Sequence, residues 1–197
     1  MAGGAEDKRR LILDAAVRVF AREGYHDARV GDIATEAGVA YGLVYHYFTS
    51  KEAVLEAVFR ETWGLMLAAI HDVENRGGPA PDQLRRVCKI VLRAWGDDPD
   101  LVRVLVREVA RSPQIQREID EIEQAFAALE RIIERGQQEG TFTTGFAARS
   151  VALMLYGALE EVLTAWVMAQ LPDDEDAVAD AERTVVALFT NGLRAAG

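Results

Sequence analysis

The sequence predicts an all-α fold of about nine helices arranged in two parts. Apolar residues recur at three- and four-residue spacing along most of the 197 residues, which is the period of a helix. Alternating β-branched patterns are nearly absent, and the chain contains only five prolines. The clearest break is RGGPAP at residues 76–81, where glycine and proline gather.

The first helix is predicted from Asp7 to about Glu23. Asp7 offers a side-chain oxygen that can cap the helix, and residues 1–6 before it are expected to be disordered. Gly24 follows the last apolar residue and ends the helix. Its buried side is predicted to comprise these residues: Leu11, Ile12, Ala15, Ala16, Val19 and Phe20.

Residues 29–51, RVGDIATEAGVAYGLVYHYFTSK, contain two short helical patterns separated by a glycine. The first begins near Arg29, with Asp27 as a possible cap, and Gly38 stops it. The second runs from about Ala40 to Tyr47 and is too short to be stable alone. Two short helices joined at a glycine turn form a helix-turn-helix, whose second helix enters the DNA major groove.

A longer helix is predicted from Lys51 to Glu74, with Ser50 as its cap. At about 1.5 Å per residue it spans roughly 36 Å, which is long enough to join two modules. We therefore expect domains at residues 1–50 and 51–197. The remaining helices are predicted at residues 82–95, 100–111, 112–138, 146–170 and 173–194.

Charge is distributed unevenly along the chain. The formal net charge is −10, yet residues 1–51 hold seven Lys/Arg and seven Asp/Glu. The acidic excess therefore lies in residues 52–197 and repels phosphate, which leaves the N-terminal segment as the only plausible surface for DNA.

No uninterrupted apolar segment reaches the length of a membrane span, because Glu160 and Glu161 divide the longest one. The single cysteine, Cys88, fits a reducing cytoplasm and is expected to be buried rather than a redox sensor.

A set of motifs at fixed spacing resembles the DNA-binding domain of TetR-family transcriptional regulators over about residues 8–60. The segments that carry it are Ala37-Gly38-Val39, Gly42, Tyr45-His46-Tyr47-Phe48 and Ser50-Lys51-Glu52. The resemblance implies an N-terminal three-helix helix-turn-helix domain, joined by the long fourth helix to a ligand-binding and dimerisation domain. It also implies a cytoplasmic repressor whose partners are double-stranded operator DNA, a second copy of the chain and a small-molecule inducer.

The resemblance also implies roles for single residues. Tyr41, Gly42 and Leu43 match positions that face base edges. Tyr45 matches the tyrosine that binds a backbone phosphate. Candidates for further phosphate contacts are Arg29, His46, Tyr47 and Lys51. Val44 and Phe48 match core positions. Arg29 and Gly31 depart from the family pattern, and this puts base reading by the preceding helix in doubt.

Two half-sites about 34 Å apart require two reading helices, so a two-fold dimer and a palindromic operator are expected. The last two helices are the expected interface, paired as a four-helix bundle. The alternative is that these helices only complete the core of one chain.

The middle helices are where a regulator of this family binds its inducer. Large apolar residues that can line a cavity there are Trp63, Met66, Ile70, Trp95, Leu105, Phe126, Met154, Tyr156 and Trp166. Arginines recur at four-residue spacing at Arg103, Arg107 and Arg111, and a second basic row is Arg85, Lys89 and Arg93. Such rows either pair with acids or bind an anion.

The segments VREVARSPQIQREI and GALEEVLTAWVM resemble acyl-CoA-responsive TetR-family regulators of fatty-acid metabolism. Under this resemblance Arg103 and Arg107 meet the CoA phosphates, and the aromatic residues take the acyl chain. No cofactor is expected beyond this effector. A sensor of drugs or aromatic compounds is the alternative within the family.

Other classes of protein find less support in the sequence. No Ser-His-Asp, metal-ligand or phosphate-loop motif is present, and the three histidines lie in separate segments. We therefore expect no enzyme and no metal site. A helical structural module remains a third class, but it would not need a tyrosine-rich short helix.

Overall fold

The computed structural model describes residues 3–109 and 120–194, and this part of the chain forms nine α-helices without a strand. The helices are α1 Gly3–Glu23, α2 Val30–Glu36, α3 Tyr41–Tyr47, α4 Lys51–Arg76, α5 Ala80–Asp97, α6 Pro99–Val109, α7 Asp120–Gln138, α8 Ala148–Val167 and α9 Glu175–Gly192. The all-α prediction is confirmed. The predicted segment 112–119 lies outside the described residues.

Helix α1 begins earlier than the sequence predicted. It starts at Gly3, so the expected disorder of residues 1–6 is wrong for residues 3–6, and Asp7 lies inside the helix instead of capping it. The predicted apolar side is buried except for Leu11, which is half exposed. Gly24 ends the helix with a positive φ of 83°, as its position predicted.

The chain divides into two compact units. The first comprises Met1–Thr62 and Pro99–Glu118, so it contains α1 to α3, the start of α4 and also α6. Helix α6 packs on α1, with Val102 and Val104 buried. The predicted domain boundary at residue 50 did not anticipate that α6 joins the N-terminal helices.

The second unit comprises Trp63–Asp98 and Ile119–Gly197. Within it α7 packs on α8, and α5 packs on α7, α8 and α9. The largest fully buried side chains of this unit are Leu84, Leu92, Ile132, Ile133, Phe142, Leu155 and Leu159. Cys88 is buried on α5, and burial raises the pKa of its thiol to about 12, so the thiol stays protonated at neutral pH.

The turn after α7 depends on a glycine inside the helix. A Cβ atom on Gly136 would lie 2.2 Å from Cδ2 of Phe142, so only glycine leaves room for that ring. Phe142 is fully buried and pairs through its backbone with Arg194. Between Gly136 and Phe142 the backbone turns at Gly140, whose φ is 74°, and this turn brings Phe142 back to the core of the second unit.

Helix α8 is apolar and long enough to cross a membrane by length and composition. The prediction that no segment is long and apolar enough to span a membrane is therefore wrong for α8, because Glu160 and Glu161 do not lower its hydropathy enough. One face of α8 packs on α5, α7 and α9. The opposite face of α8, with Leu153 and Met154, is exposed in the single chain.

Candidate nucleic-acid interface and effector region

The turn between α2 and α3 has the geometry of a helix-turn-helix. Gly38 adopts a φ of 66°, and the amide of Val39 donates to the carbonyl of Ala34 at 3.0 Å. Ile33 and Ala34 on α2 and Val44 on α3 are buried, and α2 packs on α3. This apolar contact supplies the support that a helix of seven residues needs.

The outer face of α3 presents most of the residues predicted to contact DNA. Tyr41, Gly42, Tyr45 and His46 are exposed, and Leu43 and Tyr47 are partly exposed. Val44 and Phe48 are buried, which confirms their predicted core positions. Nothing lies within 4 Å of a Cβ built on Gly42, so this position is open to a ligand.

Arg29 is the N-cap residue of α2, in extended conformation with φ −115° and ψ 151°. Its backbone amide donates to Oδ2 of Asp32 at 3.0 Å. The acid that serves this helix start is thus Asp32 from within the helix and not Asp27 from upstream. The guanidinium of Arg29 is exposed and makes no ion pair among the described residues, so it is available to a phosphate.

Lys51 occupies a different environment from the one predicted. Its Nζ donates to the carbonyl oxygens of Tyr25 at 2.6 Å, His26 at 3.1 Å and Ala28 at 2.8 Å. The same ammonium lies 4.6 Å from the centre of the Tyr25 ring. An ammonium has three N–H donors, and all three are used here. This arrangement weighs against a phosphate contact by Lys51.

Several other basic side chains of the first unit are also paired with acids. Arg18 and Arg22 donate to the carboxylate of Glu36 at 2.7 and 3.3 Å. These contacts, with Arg18 the stronger, lower the pKa of Glu36. Arg9 pairs with Glu61 and lies over the Phe48 ring. Arg9, Arg18 and Arg22 are thus neutralised by local pairs, while Lys8, Arg10 and Arg29 are exposed.

In the second unit, three of the predicted effector residues form an aromatic cluster: Trp63 of α4, Phe126 of α7 and Tyr156 of α8. The ring centres of Trp63 and Tyr156 are 6.1 Å apart, and those of Phe126 and Tyr156 are 4.8 Å apart. All three side chains are only partly buried. The cluster therefore offers apolar surface that a ligand can reach.

Charged groups lie at the edge of the aromatic cluster. The guanidinium of Arg149 lies 5.5 Å from the centre of the Phe126 ring and pairs with Glu123 at 2.9 Å and Glu130 at 3.6 Å. Arg149 was not among the residues predicted from the sequence. The available signal was the seven-residue spacing of Glu123 and Glu130, which places both acids on one helix face towards a cation.

Tyr156 and Glu160 share one face of α8. Burial, and then the nearby carboxylate of Glu160, raise the pKa of Tyr156. Burial likewise raises the pKa of Glu160, with a smaller contribution from the charge of Glu161. The carboxyl of Glu160 is thus held in an environment that disfavours its charge.

The remaining predicted effector residues of the second unit divide into two groups. Trp95 and Trp166 are buried, with ring centres 6.2 Å apart, and Nε1 of Trp166 donates to the carbonyl of Pro172 at 3.0 Å. Ile70 is also buried, whereas Met66 is partly exposed. The two tryptophans and Ile70 therefore have the environment of core residues.

Met154 does not share the face of Tyr156, because two residues along a helix correspond to a rotation of about 200°. It is 67% exposed and lines an apolar groove of about 380 Å³ between the start of α8 and the end of α9. Phe146 and Leu188 line the same groove, and both are exposed. Met154 thus belongs to an outer apolar surface.

Helix α6 carries Arg103, Leu105 and Arg107 and belongs to the first unit, whereas the aromatic cluster belongs to the second unit. Arg103 pairs with Asp100 at 2.7 Å, and Arg107 lies 3.4 Å from the carbonyl of Ala21. Arg111 lies outside the described residues. In the second basic row Arg85 pairs with Asp82, and Arg93 with Glu182 at 3.9 Å. Pairing with acids, one of the two predicted outcomes, is thus observed for three of these arginines.

The helix-turn-helix with an exposed tyrosine-rich second helix, set before a helical unit with an aromatic cluster, defines a DNA-binding regulator that responds to a ligand. A family model described as bacterial regulatory proteins, tetR family, matches residues 12–58. A second, described as YsiA-like protein, C-terminal region, matches residues 59–189. The chain belongs to the TetR family and is a ligand-responsive transcriptional repressor, not an enzyme.

Similar proteins support the same class over more than nine tenths of the chain. The fatty acid metabolism regulator protein of Bacillus subtilis is 31% identical over 92% of this chain and 93% of its own. The crystal structure of the regulator FadR from Bacillus subtilis in complex with stearoyl-CoA has a TM-score of 0.84 and 28% identity, covering 94% of this chain and 99% of its own. The transcriptional repressor NicS of Pseudomonas putida is 27% identical over 96% of this chain and 94% of its own.

Proposed function

We propose that this repressor binds a palindromic operator as a two-fold homodimer and that a long-chain acyl-CoA releases it. The observation that carries the proposal is the similarity, over 94% of the chain, to a regulator whose structure contains stearoyl-CoA. The partly exposed aromatic cluster in the second unit adds local support, because it offers apolar surface for an acyl chain.

The DNA contacts are proposed on α3 and at the start of α2. Full or partial exposure supports this set, with Tyr41 beside it on the same face: Arg29, Gly42, Leu43, Tyr45, His46 and Tyr47. Tyr45 and Arg29 would donate to phosphates, and the open backbone at Gly42 permits close approach to the groove. Lys51 is left out because its three donors already serve backbone carbonyls.

The dimer is proposed through the outer faces of α8 and α9. Met154 and Leu188 are 67% and 68% exposed, and Leu153 is 47% exposed on the same pair of helices. Exposed apolar side chains gathered beside an open groove are typical of an interface between proteins. A second copy of α8 and α9 would cover them and place two reading helices on one operator.

The oligomeric state of charge-introducing variants tests this interface. Leu188→Glu is expected to shift the protein from dimer to monomer in sedimentation velocity and to weaken operator binding. Leu65→Glu is the matched control, because Leu65 is 74% exposed on α4. The interface is wrong if Leu188→Glu remains as dimeric as Leu65→Glu.

The CoA phosphates are proposed to meet Arg103 and Arg107 of α6. Arg103 is paired with Asp100 at the surface, and such pairs contribute about 0–1 kcal/mol, so a phosphate can replace the carboxylate at small cost. Phosphate offers several acceptor oxygens to a guanidinium and binds it more strongly than a solvent-exposed carboxylate does.

Isothermal titration calorimetry with stearoyl-CoA, below its micelle concentration, tests the effector site. We expect Arg103→Ala to weaken stearoyl-CoA binding about tenfold, which corresponds to roughly 1.4 kcal/mol. Arg76→Ala is the control, because Arg76 also pairs with an acid of its own helix, Asp72, at 2.7 Å. Unchanged affinity in Arg103→Ala would remove the arginine from the site, and absence of binding to the unmodified protein would remove the acyl-CoA proposal.

A second candidate effector is an aromatic cation. The half-buried Glu160 beside Tyr156 favours it, because a carboxylate among aromatic rings suits a flat positive ligand. Titration with rhodamine 6G under the same conditions separates the two candidates. Binding of this dye with no binding of stearoyl-CoA would favour the second.

A further inference from the structure

Two tyrosines on α3 direct their hydroxyl groups at each other. Tyr41 and Tyr45 are one helical turn apart and are 57% and 45% exposed. Their ring centres are 5.2 Å apart with the planes at 61°, and the Tyr41 hydroxyl lies 3.3 Å from the Tyr45 hydroxyl. The family resemblance implies separate roles for these residues, a base contact for Tyr41 and a phosphate contact for Tyr45.

Gly31 on α2 leaves space for the Tyr41 ring. A Cβ atom built on Gly31 would lie 3.9 Å from Cε2 and 4.0 Å from Cδ2 of Tyr41. The ring therefore lies against the first turn of α2, on a surface that a longer side chain at position 31 would occupy. Alanine would fit, because these distances are ordinary van der Waals contacts. The departure of Gly31 from the family pattern thus has a structural counterpart in Tyr41.

Proton counting shows which direction of the hydroxyl pair a phosphate contact by Tyr45 requires. A tyrosine hydroxyl carries one proton and can accept hydrogen bonds through its lone pairs. Tyr45 can give its proton to a phosphate oxygen only if Tyr41 is the donor within the pair.

We infer that Tyr41 is a positioning residue for the phosphate contact of Tyr45, with Gly31 providing its room, and not a reader of base acceptors. The inference rests on the proposed DNA interface on α3. Tyr41 would orient the Tyr45 hydroxyl and polarise it in a short chain of hydrogen bonds that ends on the phosphate. Because the Tyr41 proton is used within the pair, it is not available to guanine O6 or thymine O4.

A double-mutant cycle tests the coupling in the full-length protein. The probe is a fluorescein-labelled 30-base-pair duplex that the unmodified protein selects from a randomised pool, and the readout is fluorescence anisotropy. We expect Tyr41→Phe and Tyr45→Phe each to weaken binding about 3- to 10-fold, the range expected for removal of one hydrogen bond. The double variant should bind no more weakly than Tyr45→Phe alone, because the two hydroxyls serve one phosphate.

Two further measurements separate positioning from a merely structural effect. Methylphosphonate replacement at the contacted phosphate should cost affinity for the unmodified protein, and this cost should shrink in both Tyr45→Phe and Tyr41→Phe. Gly31→Gln should weaken binding as Tyr41→Phe does, whereas Gly31→Ala should bind like the unmodified protein. Thermal melts of each variant check that folding is retained.

The inference is wrong if the double variant loses affinity by the product of the two single losses. It is also wrong if Tyr41→Phe selects a different base sequence from the same randomised pool. Either result would make Tyr41 a separate DNA contact while leaving the interface on α3 intact. Failure of the unmodified protein to select any duplex would overturn the interface and the inference together.

Discussion

The Nζ atom of Lys51 lies 2.6 Å from the carbonyl oxygen of Tyr25, and it donates to two further carbonyls of the same turn. The first residue of α4 therefore holds the turn that joins α1 to α2. The Tyr25 ring packs edge-on against Phe20, 5.3 Å between centres, so the turn is also anchored to the core of the first unit. A movement of the start of α4 would reach the helix-turn-helix through this contact.

Replacing Lys51 by methionine is expected to destabilise the protein. Hydrogen bonds to a charged group contribute about 1.5–3 kcal/mol, and the substitution leaves three carbonyls without this donor, so we expect the free energy of unfolding to fall by roughly 2 kcal/mol. In a chain of this size that corresponds to about 4–8 °C in Tm by thermal unfolding.

The control for Lys51→Met is Lys89→Met, since Lys89 is exposed on α5 and its replacement should change stability by less than about 0.5 kcal/mol. A phosphate role for Lys51 would give the opposite pattern. Stability would be unchanged, and the slope of log affinity against log salt would fall in magnitude by about 0.9 for each phosphate that the protein no longer neutralises.

Gly42 is expected to trade stability for access to DNA. It lies in the first turn of α3, and no atom lies within 4 Å of a Cβ built there, so Gly42→Ala should stabilise the fold by about 0.5–1 kcal/mol. Operator affinity should nevertheless fall, because the methyl group would meet the groove. Gly64→Ala is matched to it, being a helical glycine with equal space in α4, and should stabilise without changing DNA affinity. Equal operator affinity in both variants would show that Gly42 is remote from the DNA.

The raised pKa of Glu160 predicts that replacing its carboxylate by a neutral side chain stabilises the protein at neutral pH but not in acid. Burial disfavours the charged form in the folded state and raises the pKa of Glu160 above its unfolded value of 4.5. The contribution of Glu160 to stability is therefore most favourable below the unfolded pKa and is lost as pH rises through the higher folded pKa. Glu160→Gln should therefore raise Tm at pH 7 and lose this advantage near pH 4. Because the group is only half buried, solvent screening keeps the gain below about 1 kcal/mol, or about 2–4 °C.

Glu161→Gln is the comparison for Glu160→Gln, because Glu161 is the exposed neighbour on the same helix. It should change Tm less at pH 7, since it removes only a minor contribution to the shift. Equal Tm changes in the two variants, or a gain for Glu160→Gln that persists at pH 4, would contradict the assignment.

Periodicity and turn residues were enough to predict the helices. The glycines that end α1 and separate α2 from α3 have positive φ, and the buried Val44 and Phe48 follow the motif. These features are local, so a single sequence carries them. The start of α1 was placed too late because Asp7 has the chemistry of a cap, although residues before it continue the helix.

Contacts between distant segments were less accessible from the sequence. Lys51 was interpreted through its motif, yet carbonyls more than 20 residues away occupy its donors. Met154 was grouped with Tyr156 by size, although helix geometry turns the two side chains to different faces. The pairing of Arg149 with Glu123 and Glu130 likewise depends on how α7 and α8 pack.

The most direct test of the proposed function is release of DNA by an acyl-CoA. In fluorescence anisotropy, stearoyl-CoA should weaken the complex of the full-length protein with its selected duplex by roughly 10-fold or more, as expected when an effector prefers the DNA-free state. Stearate, free CoA and acetyl-CoA, each at the same concentration, should leave the complex intact. A complex that stays unchanged at concentrations of stearoyl-CoA that saturate the protein would contradict the account.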